Sequence, residues 1–145
     1  MDWWITKDGD EIFKEFYDRH YSRIFYKDGR NPKLFIGPGF KIVLRTLSCD
    51  AIWAWRKFKD ACIDERTGKP QAGINNSIFR NESTIKSSEL IRQADAIADF
   101  IWPGERHYTY VDAEKVRSVN PGYCYIIAGW KRCGMTKSGK LILEK

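Results

Sequence analysis

The 145-residue sequence lacks the features that mark a membrane or exported protein. Its apolar runs stay well short of the roughly 20 residues that a helix needs to cross a bilayer. Its first residues, MDWWITKDGDE, are acidic and lack the pattern of a signal peptide. We therefore expect a cytoplasmic protein with no membrane partner.

Close cysteine pairs and sequence repeats are also missing. The four cysteines are Cys49, Cys62, Cys124 and Cys133, and no two of them form a Cys-x-x-Cys pair. This spacing gives little support to a structural zinc site, and without an export signal we expect reduced, mostly buried thiols. With no internal repeat, low-complexity segment or clear linker, the length fits a single domain over residues 1–145.

The sequence is rich in apolar and basic residues. Hydrophobic residues make up 43%, including six Trp, seven Tyr and eight Phe, which is enough for a packed core. The formal net charge is +6. A basic balance favours phosphate-bearing partners, either a nucleic acid or an anionic cofactor, although a solvated surface explains most of the charges.

Apolar residues at three- and four-residue spacing predict helices, and alternating patterns predict strands. Three helices are predicted: residues 10–25 capped by Asp8 or Asp10, residues 87–101 capped by Ser87 or Ser88, and residues 121–128 capped by Asn120. Six strands are predicted at residues 40–47, 51–58, 73–79, 107–111, 131–135 and 141–143. This order predicts an α+β (mixed α/β) fold with helices packed on one central sheet.

The order of strand 73–79, loop 80–86, helix 87–101 and strand 107–112 resembles the GCN5-related N-acetyltransferase (GNAT) superfamily. The resemblance implies a mixed, mostly antiparallel sheet with helices on both faces, and acyl-CoA bound where two strands splay apart. The donor's phosphates would meet a helix N-terminus. Because the loop here, RNESTIKSS, has no glycine, the anionic donor would contact side chains as well as backbone. The expected donor contacts are Arg80, Lys86, Ser87 and Ser88.

Short motifs also resemble the phage Mom proteins, which modify adenine in DNA at its exocyclic amine. These motifs are His20-Tyr21, Asp112 at a strand end, and Tyr125 five residues before Trp130. The resemblance implies a transferase that acts on a nucleobase amine and protects phage DNA from restriction, in a bacterial or phage-infected host cytoplasm. It also implies iron as a candidate cofactor, with His20 and Tyr125 as its ligands.

Each candidate catalytic residue has a structural alternative. His20 can relay protons in a catalytic cleft that it shapes together with Tyr21, or the two are a helix-edge histidine and a core tyrosine. Asp112 can orient the amine or take its proton, or it caps the next turn. Tyr125 can protonate a leaving thiolate, with Tyr123 as its rival, or both tyrosines bury aromatic area.

Three tryptophans and four cations are candidate DNA contacts. Trp53, Trp55 and Trp130 can stack on an extruded base, although tryptophan more often packs in a core. The cations near predicted strand ends are Lys57, Arg117, Lys131 and Arg132. They either hold phosphates or are ordinary solvated charges.

The leading hypothesis is thus a Mom-like transferase that acts on DNA. Two alternatives stay open: a conventional acyl-CoA-dependent N-acetyltransferase that acts on a protein or a small amine, and a non-catalytic basic domain that binds nucleic acid. Catalysis requires that His20, Asp112 and Tyr125 converge on one cavity.

Overall fold

A computed structural model describes residues 1–19, 29, 34, 36–58, 62–63, 68, 70–116 and 120–145, with only the backbone described at 62, 63 and 70. The strands are β1 (Trp4–Thr6), β2 (Phe40–Arg45), β3 (Ala51–Lys57), β4 (Cys62–Ile63), β5 (Pro70–Gln71), β6 (Ile74–Asn81), β7 (His107–Val111), β8 (Lys131–Met135) and β9 (Leu141–Glu144). The helices are α1 (Glu11–Tyr17), α2 (Ser87–Ile101) and α3 (Tyr123–Ile127).

Seven strands form one mixed sheet in the order β1-β2-β3-β6-β7-β9-β8. Every neighbouring pair in it is antiparallel except β6 and β7, which run parallel. Strands β4 and β5 pair separately. The predicted mixed α+β fold is therefore confirmed, as a seven-stranded mixed sheet and three helices in the described residues.

Helices pack on both faces of this sheet. Side chains alternate along a strand, so each face has its own apolar residues for a helix to cover. On β3, Trp53 and Trp55 pack in the cluster that holds the buried residues of α2. Ile52 and Ala54 point the other way, into the cluster that holds Phe13 of α1. Within the described part of the chain, no helix is long and apolar enough to cross a membrane.

Helix α2 has the bounds that its apolar spacing predicts, but its cap differs. The N-cap is Lys86, with an extended backbone and no side-chain capping bond, so the prediction of Ser87 or Ser88 as the cap is wrong. The Ser87 hydroxyl instead accepts a hydrogen bond from Asn81 Nδ2 at 3.0 Å. That bond ties the start of α2 to the end of β6.

Helix α3 starts later than predicted. Gly122, not Asn120, stands at its N-cap, with a left-handed φ of 80°. A Cβ atom there would lie 2.8 Å from Leu143 Cδ1, so both the backbone conformation and the close packing favour glycine. The turn before α3 is therefore set by contact with β9, which the local pattern does not reveal.

Helix α1 ends at Tyr17, earlier than the predicted Phe25, which lies outside the described residues. Asp10 caps this helix, as one of the two predicted caps. Its Oδ1 accepts from the backbone amides of Ile12 at 2.9 Å and Phe13 at 3.2 Å. Its Oδ2 accepts from Arg45 Nε at 3.1 Å. Asp10 thus joins α1 to the second strand.

We predict that Asp10→Ala lowers the free energy of unfolding by about 1 to 2 kcal/mol at neutral pH, because the helix loses its cap. Partial burial alone raises the pKa of this carboxyl, but hydrogen bonds from Thr6, Arg45 and the first turn of α1 outweigh it and lower the pKa. Because the pKa is lower in the folded state, the ionised carboxylate stabilises the fold at a pH above about 4, the usual aspartate pKa. This stabilisation is lost as the pH falls through the lowered pKa.

The difference between wild type and Asp10→Ala should therefore shrink in urea titrations below about pH 4. Glu11→Ala, at an exposed position on the same helix, is the control, with an expected change within about 0.5 kcal/mol. A constant difference from pH 7 to pH 3 would contradict the assigned role of the carboxylate.

Candidate active site

The two parallel strands separate after three paired residues. Ile74, Asn75 and Asn76 of β6 face residues 107–109 of β7. Beyond that point β6 runs on to Asn81, and a cavity of about 470 Å³ lies between the two strand ends. Ligand sites often form at such a strand end in sheets with parallel strands.

A β-bulge accompanies the separation. Trp55 of β3 pairs with Asn76, but the preceding Ala54 pairs with Ile78, so Ser77 is an extra residue in β6. A bulge bends the strand that carries it and re-aims its side chains. Strand β7 meanwhile pairs with β9 along Tyr108 to Val111. The bulged strand and the strand held by β9 therefore diverge.

Asp112 lies at the mouth of this cavity, directly after β7. Its Oδ1 accepts from the Glu114 backbone amide at 3.2 Å, and its carbonyl oxygen accepts from the amides of Lys115 and Val116. The predicted turn-capping role is confirmed. The same side chain also lines the cavity, so capping leaves its catalytic role open as a prediction.

Tyr125 on α3 lines the same cavity and is 6% exposed. Its hydroxyl donates to Asn76 Oδ1 at 2.6 Å. Tyr123 is 54% exposed and is not among the lining residues. The structure therefore favours Tyr125 over Tyr123 as the cavity tyrosine. Two residues along an α-helix correspond to a rotation of about 200°, so the two side chains lie on opposite sides of α3.

The charged side chains around the cavity are mostly cationic. Among the described lining residues, Arg80, Lys115 and Lys140 are cations and Asp112 is the one carboxylate. Arg80 forms an ion pair with Glu82, at 2.7 Å. Lys115 and Lys140 are exposed. This balance favours an anionic ligand.

The other predicted donor contacts lie along the loop and the start of α2. Lys86 is exposed, while Ser87 and Ser88 are half-buried. They are not among the lining residues, but Asn81 is, and its Nδ2 donates to Ile85 O at 2.7 Å and to Ser87 Oγ at 3.0 Å. Asn81 therefore connects this loop to the cavity wall.

Cys124 also lines the cavity, one residue before the cavity tyrosine. Burial raises the pKa of its thiol above the ordinary value. The thiol is therefore protonated at neutral pH and is a poor nucleophile, because the thiolate is the reactive form. Covalent catalysis through Cys124 is disfavoured.

The prediction that the three tryptophans stack on a base is contradicted by their burial. Trp53 and Trp55 are 0% exposed, and Trp130 is 2% exposed. Trp55 Nε1 donates to Ala94 O at 3.0 Å, and the Trp130 indole donates to Asp95 at 3.0 Å. These rings fill the core, so none of them presents a face to an extruded base.

The remaining predicted residues divide into two groups. His20, Tyr21 and Arg117 lie outside the described residues. Lys57 pairs with Glu105 at 2.6 Å, and Lys131 and Arg132 are exposed on β8. Those three cations are outside the cavity lining.

In the described part of the chain, no group of three or more His, Cys, Asp or Glu side chains is placed to bind a metal ion. The predicted iron ligand His20 lies outside those residues. The other, Tyr125, has its hydroxyl bonded to Asn76. Iron therefore stays a prediction from the resemblance, and we assign no step to it.

Sequence reasoning missed the polar residues at the inner end of the cavity. Asn75, Asn76 and Thr109 are at most 7% exposed, and all three line the cavity. They lie on strands predicted as ordinary core strands. The one local signal is the pair of adjacent asparagines in a buried strand, where unpaired amides are costly.

Comparisons with protein families, with curated proteins and with solved structures find no match to this chain.

We predict that Trp53→Ala lowers the free energy of unfolding by about 3 to 5 kcal/mol, because it empties a fully buried site. Urea denaturation measures this loss. Trp4→Ala is the matched control: its ring is 57% exposed, and the expected change is within about 0.5 kcal/mol. A stable Trp53→Ala protein that had lost only DNA binding would contradict the core assignment.

Proposed function

We propose that this chain is a GNAT-like transferase, similar to the Mom proteins, that moves a group from an acyl-CoA-type donor to a nucleobase amine in DNA. The exocyclic amine of adenine is the first candidate acceptor. The observation that carries the proposal is that Asp112 and Tyr125 line one cavity between two diverging parallel strands. Asp112 follows β7 and Tyr125 lies on α3, and their shared cavity supports a reaction between the two strands, where the resemblance implies that the donor binds.

The cavity wall suits an anionic donor with an apolar arm. Arg80, Lys115 and Lys140 supply positive charge at the cavity. Phe79 and Val111 add apolar surface. Acyl-CoA would bring a reactive thioester, and these residues would hold its phosphates and its arm. The charge balance of the lining supports this choice of donor class.

The same lining suits a flat heterocycle as the acceptor. Enzymes that act on a base take it out of the stack and hold it between aromatic or apolar side chains, with hydrogen bonds to its edge. Phe79, Tyr110 and Tyr125 are the aromatic residues here, in place of the buried tryptophans, and Asn75 and Asn76 carry amides. The net charge of +6 supports contact with the DNA backbone.

Positioning would have to contribute much of the catalysis. The exocyclic amine of adenine is a weak nucleophile because its lone pair is delocalised into the ring. Asp112 would orient this amine and take its proton as the new bond to the transferred group forms. A modified amine alters the base edge that restriction enzymes read, so the expected outcome is protection of phage DNA.

The decisive experiment is nucleoside analysis of DNA from bacterial cells that express the protein. We expect a new, heavier derivative of 2′-deoxyadenosine by mass spectrometry. Asp112→Asn should lower its yield about 100-fold or more, because a positioned acid or base typically contributes that factor. Glu114→Gln is the matched control, since Glu114 is the next acidic residue and is exposed.

Unaltered nucleosides, in cells that contain folded protein, would overturn the assignment to DNA. If acyl-CoA still binds in that case, the acceptor is an amine of a protein or small molecule. Salt-sensitive DNA binding without any donor binding or modification would identify a binding domain.

Donor binding has its own prediction. Acetyl-CoA at about 100 times its Kd should raise stability by about 2.7 kcal/mol, seen as a thermal shift. Lys115→Ala and Lys140→Ala should each weaken binding by roughly fivefold or less, since an exposed ion pair contributes up to about 1 kcal/mol. Lys131→Ala, exposed on β8, is the control. Equal effects of all three substitutions would contradict donor binding in the cavity.

A further inference from the structure

Three buried polar side chains meet at the inner end of the cavity, where β6 and β7 separate. Asn76 and Thr109 are each 3% exposed, and Tyr125 is 6% exposed. Strand β6, strand β7 and helix α3 contribute one residue each. Because polar groups at such depth are costly unless they are hydrogen-bonded, their donors and acceptors can be assigned from geometry.

The orientation of the Asn76 amide follows from its backbone neighbours. Its Nδ2 lies 3.2 Å from the carbonyl oxygen of Ala54 and 2.8 Å from that of Ile78. Carbonyl oxygens only accept hydrogen bonds, so the NH₂ side of the amide must face both of them. The bulge between β3 and β6 thereby directs Oδ1 to the other side.

That orientation determines the direction of the hydrogen bond with Tyr125. Asn76 Oδ1 is an acceptor only, and the phenolic oxygen lies 2.6 Å from it. Tyr125 must therefore donate its single hydroxyl proton to Asn76. The Thr109 hydroxyl donates to the Asn76 backbone oxygen at 2.9 Å and lies 3.4 Å from Oδ1, so the 2.6 Å bond from Tyr125 is the shorter one at Oδ1. Toward any third group, the phenolic oxygen of Tyr125 can then only accept.

We propose that Asn76 is a positioning residue that holds the Tyr125 hydroxyl as a hydrogen-bond acceptor toward the cavity, so that Tyr125 binds an N–H group of the acceptor amine. To act as an acid on a leaving thiolate, Tyr125 would first have to break its bond with Asn76. The identity of the amine rests on the function proposed above. The direction of the proton does not.

The proton direction can be measured on the free protein by NMR. With tyrosine labelled at ζ-¹³C, we expect a slowly exchanging hydroxyl proton on Tyr125, assigned by its loss in Tyr125→Phe. It should disappear or exchange at least tenfold faster in Asn76→Ala. Asn76→Asp keeps an oxygen acceptor and should retain a shifted resonance. Thr109→Val removes a different donor to Asn76 and leaves the Tyr125–Asn76 bond in place, so it should keep the proton protected, with a changed chemical shift.

A wild-type protein without this protected proton, or an Asn76→Ala protein that keeps it, would overturn the proposal. The wild-type spectrum decides the matter even if Asn76→Ala does not fold. A protected proton in a protein that modifies no nucleoside would refute the proposed function alone and leave the positioning role intact.

If transfer activity is found, kinetics give a second test. Tyr125→Phe and Asn76→Ala should each lower kcat about tenfold, and the double variant should be no worse than either single one, because the two residues act as a unit. If Tyr125 instead served as the acid, Asn76→Ala would release its proton and leave kcat unchanged or higher. That result would overturn the proposal.

Discussion

The site depends on how briefly β6 and β7 pair. Three residues of each strand form the parallel ladder. The extra residue Ser77 then bends β6, so that the strand no longer runs beside β7. A longer ladder would close the space between the strand ends. The Asn76 amide bonds to the carbonyls of Ala54 and Ile78 across this irregularity. It thereby satisfies groups that a regular ladder would have paired.

A buried carboxylate holds the opposite end of β7 in place. Asp95 of α2 is 2% exposed. Its Oδ1 lies 2.8 Å from His107 Nδ1, and its Oδ2 accepts from Trp130 Nε1 and Lys145 Nζ, both at 3.0 Å. A buried charge is tolerated only with such partners. This cluster joins α2 and the first residue of β7 to Trp130, just before β8, and Lys145, just after β9. It anchors β7 at the end where β7 pairs with β6.

The Asp95 cluster and the cavity thus lie at opposite ends of β7, and the polar groups at each end have different surroundings. On the structural side, aromatic rings surround the His107–Asp95 pair, and Trp55 lies 4.8 Å from the His107 ring, centroid to centroid. The Nε2 atom of His107 lies 3.2 Å from Asp99 Oδ1 and has no hydrogen-bond partner among the described residues. On the other side, Asn76 and Tyr125 line the cavity, whose lining also includes the exposed Lys115 and Lys140. Polar groups thus support packing at one end of β7 and line the cavity at the other.

The amino-acid sequence alone determined those features that depend on neighbours along the chain. The bounds of α2 follow from its apolar spacing, the strand pattern predicts the mixed fold, and Asp112 at a strand end is readable as a turn cap. Tertiary structure decided the rest. It determined that Tyr125 and not Tyr123 lines the cavity, that Trp53 is buried in the core, and which way the Asn76 amide points. Each of these outcomes depends on contacts between different segments of the chain. Local periodicity records which side of an element is apolar, but it carries no information about which buried side borders a cavity.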